Sequence, residues 1–380
     1  MMQRVRCLSL LLTITCQLTI TRQYANAATD VPTITAKWIV IGAGPGGTSC
    51  VGQLLDEGVD SNSIVWVDKA FNVGRLGACY RNVPGNTRNL VFIDYLYHYK
   101  SFEFNTCSIE YSLFKGGHND TCPLNGIVQP LEWVTHHLRT KVRSVQAVVN
   151  NIAHKDGIWH VHTAEHVIIA PRVVLATGSQ PKDPLYQAQA HQTIIPLDAA
   201  LDASTLPAHV TPTDVIAVVG SAHSAFLVLK NLCALPTAKI VHIANTPVCY
   251  ALEAGRHIFY KHTGLKGLVA RWAREVYENN PPPNLVKKIG EMCTLSDLAA
   301  CNKIIYARGY QRSPVPGLSS ELLNNYDSHT GVIAPGLFGI GIAFPELVLD
   351  ASGQYEYAIG LNGFMHFAQR VVPEWIALKF

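Results

Sequence analysis

Two stretches of this chain repeat one hydrophobic pattern. The first, Lys37 to Glu57, opens with the unbroken apolar run Trp38-Ile39-Val40-Ile41, passes through glycines, and continues as a helix through Val51 and Leu54 that ends near Gly58. The second, Asp214 to Leu235, runs Val215-Ile216-Ala217-Val218-Val219, turns at Gly220, and continues as a helix through Leu227, Val228 and Leu232 before Pro236. A strand that is apolar at successive positions is covered on both faces, so both units predict parallel sheet flanked by other layers. Between them, Ser144–Ile152, Ile158–Thr163 and Val167–Ile169 read as short strands, with Asp156-Gly157 as a hairpin turn. Another strand, Arg172–Leu175, leads into Ala176-Thr177-Gly178. Prolines at 181, 184, 196, 207 and 212 precede the second unit and Pro281-Pro282-Pro283 lie in its later part. The expected organisation is α/β, with a smaller domain at 211–303 inserted into a larger one built from 33–210 and 304–380.

The glycines of the first unit carry chemistry because of where they stand. Gly42-Ala43-Gly44-Pro45-Gly46-Gly47 sits directly between a strand and a helix. There Gly42 permits the tight turn, Gly44 lets the backbone approach a pyrophosphate, and Gly47 lets helix pack on strand. The amides and dipole of the helix N-terminus then hold phosphate charge. The next strand, Ile64-Val65-Trp66-Val67, ends at Asp68-Lys69, the distance at which an acid accepts ribose hydroxyls. These residues predict a dinucleotide site.

Other segments narrow the dinucleotide to FAD by resemblance. Ala176-Thr177-Gly178-Ser179-x-Pro181 is similar to the Ala-Thr-Gly segment of flavoproteins with two dinucleotide-binding folds. Gly74-Arg75-Leu76-Gly77, then Tyr80-x-x-Val83-x-x-Asn86-Thr87, then Phe92-x-Asp94-Tyr95 resembles, in order, the flavin-containing monooxygenases and the lysine/ornithine N-monooxygenases. The spacing to Phe92 is shorter than in those families, and their Gly-Gly-x-Trp is absent. The resemblance spans residues 37 to 240 and implies a Rossmann-like, three-layer FAD-binding domain with a small antiparallel β-meander and an inserted NAD(P)-binding Rossmann-like domain. It also implies that Thr177 and Gly178 pass close to the cofactor and that Asn86 contacts the isoalloxazine as a catalytic residue. Asn86 also reads as a plain turn residue after Pro84-Gly85.

The second turn, Gly220-Ser221-Ala222-His223-Ser224-Ala225, matches the nicotinamide site of those families at Gly220, Ser224 and Ala225, with Ser221 between them. Ala222 replaces the second glycine, and its methyl crowds a pyrophosphate's approach. The strand Lys239–Ile243 runs into Ala244-Asn245 with no arginine for a 2′-phosphate, so the coenzyme is read as NADH or NADPH without a preference for the latter. Ala307-Arg308-Gly309-Tyr310 resembles the second Ala-Thr-Gly-Tyr segment of these flavoproteins, which returns the chain to the first domain. Leu337–Ile342 resembles a last flavin-binding strand, with Gly341 compatible with backbone packed on flavin and Ile342 where disulfide-reductase relatives have aspartate.

Composition predicts a substantial core and no general disorder: 48% of residues are hydrophobic and only 15% charged. The net charge of +3 is scattered, without the lysine/arginine block that tracks nucleic acid. Residues 1–27 read as a secretory signal, with Arg4 and Arg6 before an apolar stretch and Ala25-Asn26-Ala27 as cleavage site; a mitochondrial presequence fits the same composition. The apolar stretch is too short for a stable membrane anchor. Beyond the leader no Cys-x-x-Cys, Gly-x-Ser-x-Gly or His-Glu-x-x-His occurs, so no metal is expected. Cys107 with Cys122 and Cys293 with Cys301 are either disulfides or buried thiols. The reading is an FAD-dependent oxidoreductase, monooxygenase-like, acting on a small nucleophilic molecule. A flavin oxidase or NADH-dependent reductase, and a non-catalytic flavin-binding scaffold, are the alternatives.

Overall fold

In the computed structural model, which describes residues 31–379 apart from 255, 256, 291, 351 and 352, the strand Trp38–Ile41 shows why its sequence is apolar throughout. Trp38 and Val40 pack with Val51, Leu54, Leu131 and Ala368 of three helices. Ile39 and Ile41 turn the other way and pack with Trp159, Val161 and Ile168 of a small sheet. Adjacent strand residues face opposite sides, so each face needs its own apolar set. The leader and its expected cleavage site lie outside the described residues.

The main sheet has six strands in the order Val332–Ala334, Leu337–Gly339, Arg172–Leu175, Trp38–Ile41, Ile64–Asp68 and Arg143–Gln146. Its pairs are parallel except for the outer antiparallel pair with Val332–Ala334. One face carries the helices Pro45–Asp56, Asn125–Lys141 and Leu361–Ala377. The other carries a four-stranded sheet of Thr33–Thr35, Val167–Ala170, Ile158–His162 and Asn151–Lys155.

Asp156 and Gly157 close the expected hairpin, both at positive φ (52° and 78°), as a two-residue turn between twisted strands requires. The stretch Ser144–Ile152, expected as one strand, is two. Arg143–Gln146 pairs with Ile64–Asp68 in the main sheet, whereas Asn151–Lys155 belongs to the small sheet. The intervening residues cross from one layer to the other, which no run of side chains announces.

A second parallel sheet holds five strands in the order Thr193–Ile194, Lys303–Tyr306, Val215–Val219, Lys239–Ala244 and Leu285–Ile289. It therefore draws in strands on both sides of the 211–303 span. The two sheets are joined by an antiparallel pair, Ser179–Pro181 with Tyr310–Arg312. No helix among the described residues is long and apolar enough to cross a membrane.

Candidate functional site

The first glycine turn is built by contacts that only glycine allows. A Cβ on Gly42 would lie 2.2 Å from the Ala176 carbonyl oxygen, and one on Gly47 would lie 1.9 Å from the Gly42 oxygen. A Cβ on Gly46 would lie 2.7 Å from the Gly341 Cα, so the Gly341 backbone, at φ 84°, presses directly on the turn. Gly44 differs: the nearest atom to its Cβ would be the Gly74 Cα, 4.0 Å away. Its φ of −79° is open to any residue, so the protein fold does not itself demand glycine here. What it leaves is space in front of a helix N-terminus whose first residue is Pro45.

Asp68 is tied to that turn. Its Oδ2 accepts from the Ala43 N–H at 2.8 Å, and its Oδ1 accepts from the N–H groups of Ala70 and Phe71 at 2.8 and 2.7 Å. The carboxylate is thus fixed beside the glycines, while Lys69 is exposed. Thr177 brings a buried hydroxyl with no partner among the described residues, and Gly178 at φ 71° has open space beside it. An orphaned buried polar atom next to a cradle of this shape fits a bound polar group.

The second turn repeats the first in outline. A Cβ on Gly220 would meet the Ala307 oxygen at 2.1 Å, as Gly42 meets Ala176, and the Ala307 N–H donates to Val219 as Ala176 does to Ile41. Ala307-Arg308-Gly309 is therefore the structural counterpart of Ala176-Thr177-Gly178. Ala225 is wholly buried under the turn, at the place of Gly47. Ser221 Oγ donates to Asn245 Oδ1 at 3.4 Å, and Ser224 neighbours the Tyr310 hydroxyl. Ala222 caps the helix His223–Cys233 in the same extended conformation as Gly44, exposed at the mouth of the turn. Its methyl costs the fold nothing and occupies the space that Gly44 leaves open.

Asn86 lies on the strand Pro84–Arg88 and lines a cavity of about 1480 Å³. One wall is Asn86, Thr87, Arg88 and Val91. A second comes from the inserted domain, with Lys266 and Arg271. The third carries Glu356 and the N-terminus of the Leu361–Ala377 helix. Gly267 seats this domain on the strand, its Cβ position 3.7 Å from the Asn86 Cα. Burial and the nearby Lys266 charge hold His223, with a buried unpartnered Nδ1, down at about 4, so it is neutral.

Two residues of the site, Asp198 and Glu356, carry no sequence signature. Arg75 forms an ion pair with Asp198, whose Oδ1 accepts from the Tyr80 hydroxyl at 2.7 Å. Tyr80 in turn lies 3.3 Å from the Tyr310 hydroxyl beside the second turn. Burial pushes the Tyr80 phenol up, with the Tyr310 charge adding to it, so it stays a donor. Glu356 is buried and accepts from the His262 N–H at 3.2 Å and the Thr263 hydroxyl at 2.6 Å across the domain boundary. The Gly74–Tyr80 segment was the one signal that could have pointed to Arg75 and Tyr80. All eight described cysteines are free, and no described cluster could ligate a metal.

No protein-family model matches the chain. Over 386 residues it is 31% identical to the monooxygenase AgnR1 of Paecilomyces divaricatus, covering 89% of this chain and 97% of that one. Among solved structures, the ornithine N-hydroxylase KtzI of Kutzneria sp. 744, solved with reduced FAD, NADP+ and L-ornithine, superposes with a TM-score of 0.63 at 14% identity, covering 90% of this chain and 99% of that one. The flavin-containing monooxygenase of Stenotrophomonas maltophilia gives 0.57 at 15%, over 90% and 99%. The bacillithiol disulfide reductase of Bacillus cereus gives 0.58 at 13%, over 90% and 98%. What the chain shares with these structures is the fold: an FAD-binding Rossmann-like domain with an inserted NAD(P)-binding Rossmann-like domain.

Proposed function

The chain belongs to the family of the monooxygenase AgnR1, and from that premise we propose that it is an FAD-dependent monooxygenase, reduced by NADH or NADPH, that oxygenates a small nucleophilic substrate. The observation that carries this reading is the open space at Gly44, set between Asp68, the Gly341 backbone and the orphaned Thr177 hydroxyl. These residues fit a dinucleotide. Gly42 to Gly47 would take the pyrophosphate on backbone amides, and Asp68, held by three N–H groups, would accept the ribose hydroxyls.

When bound, FAD supplies the two-electron transfer and the reaction with dioxygen. The chain supplies placement and electrostatics. The Leu361–Ala377 helix has no acid in its first turn, so its positive N-terminal end stays available to favour negative charge in the cavity. Asn86 lines that cavity, and its carboxamide would orient the reacting groups. Val91, Leu265, Ala270 and Leu361 give the walls apolar surface that limits water. Ser221, Ser224 and Ala225 would receive the nicotinamide coenzyme at the second turn, with Ala222 weakening its grip. The Arg75–Asp198–Tyr80–Tyr310 network fixes this turn relative to the first.

The test is direct. Purified protein should show flavin absorbance and release FAD on denaturation. NADH or NADPH should bleach that absorbance without oxygen. Protein that stays colourless after incubation with FAD would sink the reading. Asn86→Ala should keep FAD and its reduction but lose coupled product formation.

A further inference from the structure

Lys266 is a cation with no carboxylate at ion-pair distance among the described residues. It caps the helix Gly267–Trp272, whose first residue rests on Asn86, and its side chain lines the cavity. Its ammonium donates to the Lys261 carbonyl at 2.6 Å, a neutral acceptor that uses one of three donors. Among the described residues it takes part in no ion pair. The carboxylate that acts on it, Glu356, is already engaged by the His262 N–H and the Thr263 hydroxyl. Burial, with the repulsion of Lys261, lowers its pKa. Arg88, Lys261 and Arg271 line the same cavity and likewise make no ion pair there. A partly buried ammonium without a contacting counter-charge costs stability, and such a cost persists where a ligand relieves it.

We propose that Lys266 is a specificity-determining residue that binds an anionic oxygen group, a carboxylate, on the small-molecule substrate in this cavity. The inference rests on the monooxygenase reading and names its substrate class. An incoming carboxylate meets two unused donors of Lys266 in the cavity that Asn86 also lines. Arg88, Lys261, Arg271 and the helix N-terminus at Leu361 add to the attraction while Glu253, Glu275, Glu346, Asp350 and Glu356 oppose it, so the Lys266 donors rather than the net field select the anion. Charge-assisted hydrogen bonds of this kind separate an acid from its neutral isostere. The other anion that could reach Lys266 is a phosphate of the nicotinamide coenzyme, because His223 of the second turn lies within its field.

Calorimetric titration of the full-length, FAD-loaded protein with benzoate and with neutral benzamide tests this without turnover. Benzoate should bind at least about tenfold more tightly. Lys266→Met should erase the difference while leaving benzamide binding unchanged, and Lys266→Arg should restore most of it, which separates lost charge from lost fold. Saturating NADP+ should leave benzoate binding in place. Equal binding of benzoate and benzamide, or a preference that survives in Lys266→Met, would overturn the proposal. So would NADP+ that displaces benzoate and is itself weakened by Lys266→Met, since the anion would then be the coenzyme's. The flavin spectrum of the same samples keeps the two readings apart. Protein that prefers benzoate through Lys266 but takes up no FAD keeps the carboxylate site and removes the monooxygenase, whereas FAD-loaded protein without the preference keeps the monooxygenase and removes the carboxylate site.

Discussion

Trp66 and His242 occupy corresponding points of the two sheets and make the same bond. Each lies on the strand beside the turn-bearing one, opposite Val40 and Val218 respectively. Trp66 Nε1 donates to the Gly42 carbonyl at 2.9 Å, and His242 Nε2 donates to the Gly220 carbonyl at 2.7 Å. A carbonyl turned inward by a tight glycine turn needs such a donor. The first domain uses an indole that cannot titrate. The second uses an imidazole whose Nδ1 accepts from the Tyr277 hydroxyl at 2.8 Å and which is therefore neutral.

That difference makes the inserted domain acid-sensitive. Burial lowers the pKa of His242 from 6.5, the Gly220 bond opposing and the Lys287 charge reinforcing the shift. Just below pH 6.5 the unfolded chain thus binds more protons than the folded one, and stability is lost as the pH falls through this window. Urea unfolding across a pH series should show the decline, and His242→Phe should flatten it. The same variant should cost about 1–3 kcal/mol at neutral pH by orphaning the Gly220 carbonyl.

Asp214 anchors the first strand of that domain. Burial works against its charge, but Lys303 at 2.8 Å, the Thr211 N–H and the Asn302 amide outweigh it and hold its pKa at about 2 against 3.8. Its contribution is present above pH 3.8 and lost as the pH falls toward 2. Asp214→Ala should therefore destabilise the protein by about 2 kcal/mol at neutral pH, read as a lower urea midpoint, and the deficit should shrink in acid.

Neighbouring glycines of the first turn should fail differently. Gly44→Ala has its nearest neighbour 4.0 Å away, so the apoprotein should melt as the wild type does while the purified protein loses FAD. Gly46→Ala drives its Cβ to 2.7 Å from the Gly341 Cα and should cost the apoprotein about 1–3 kcal/mol as overpacking. Melting temperatures and the flavin-to-protein ratio separate the two. If Gly44→Ala retained full FAD occupancy, the space before it would not be the pyrophosphate site.

The second turn should report on coenzyme. Ala222 shares the extended backbone of Gly44, so Ala222→Gly should tighten NADH and NADPH alike without a structural penalty. Asn245→Arg should add a partner for a 2′-phosphate and favour NADPH by about 1.5–3 kcal/mol. Stopped-flow reduction of the bound flavin measures both. Unchanged reduction in Ala222→Gly would mean that the coenzyme binds elsewhere.

The sequence by itself determined the parts whose causes are local. Four successive apolar residues at Trp38–Ile41 required a strand covered on both faces, and Asp156-Gly157 required a hairpin, because strand period and turn conformation are set by neighbouring side chains. The glycine turns and Asp68 were legible for the same reason, whereas the equivalence of Ala176-Thr177-Gly178 and Ala307-Arg308-Gly309 came from the contacts each makes with its turn. Only the tertiary structure decided what depends on docking. It split Ser144–Ile152 between two sheets, joined Arg75 to Asp198 across 123 positions, set His242 beneath Gly220, and placed Lys266 and Asn86 on the lining of one cavity. Such contacts follow from how one domain sits on another, and neither partner's local pattern changes when that placement does.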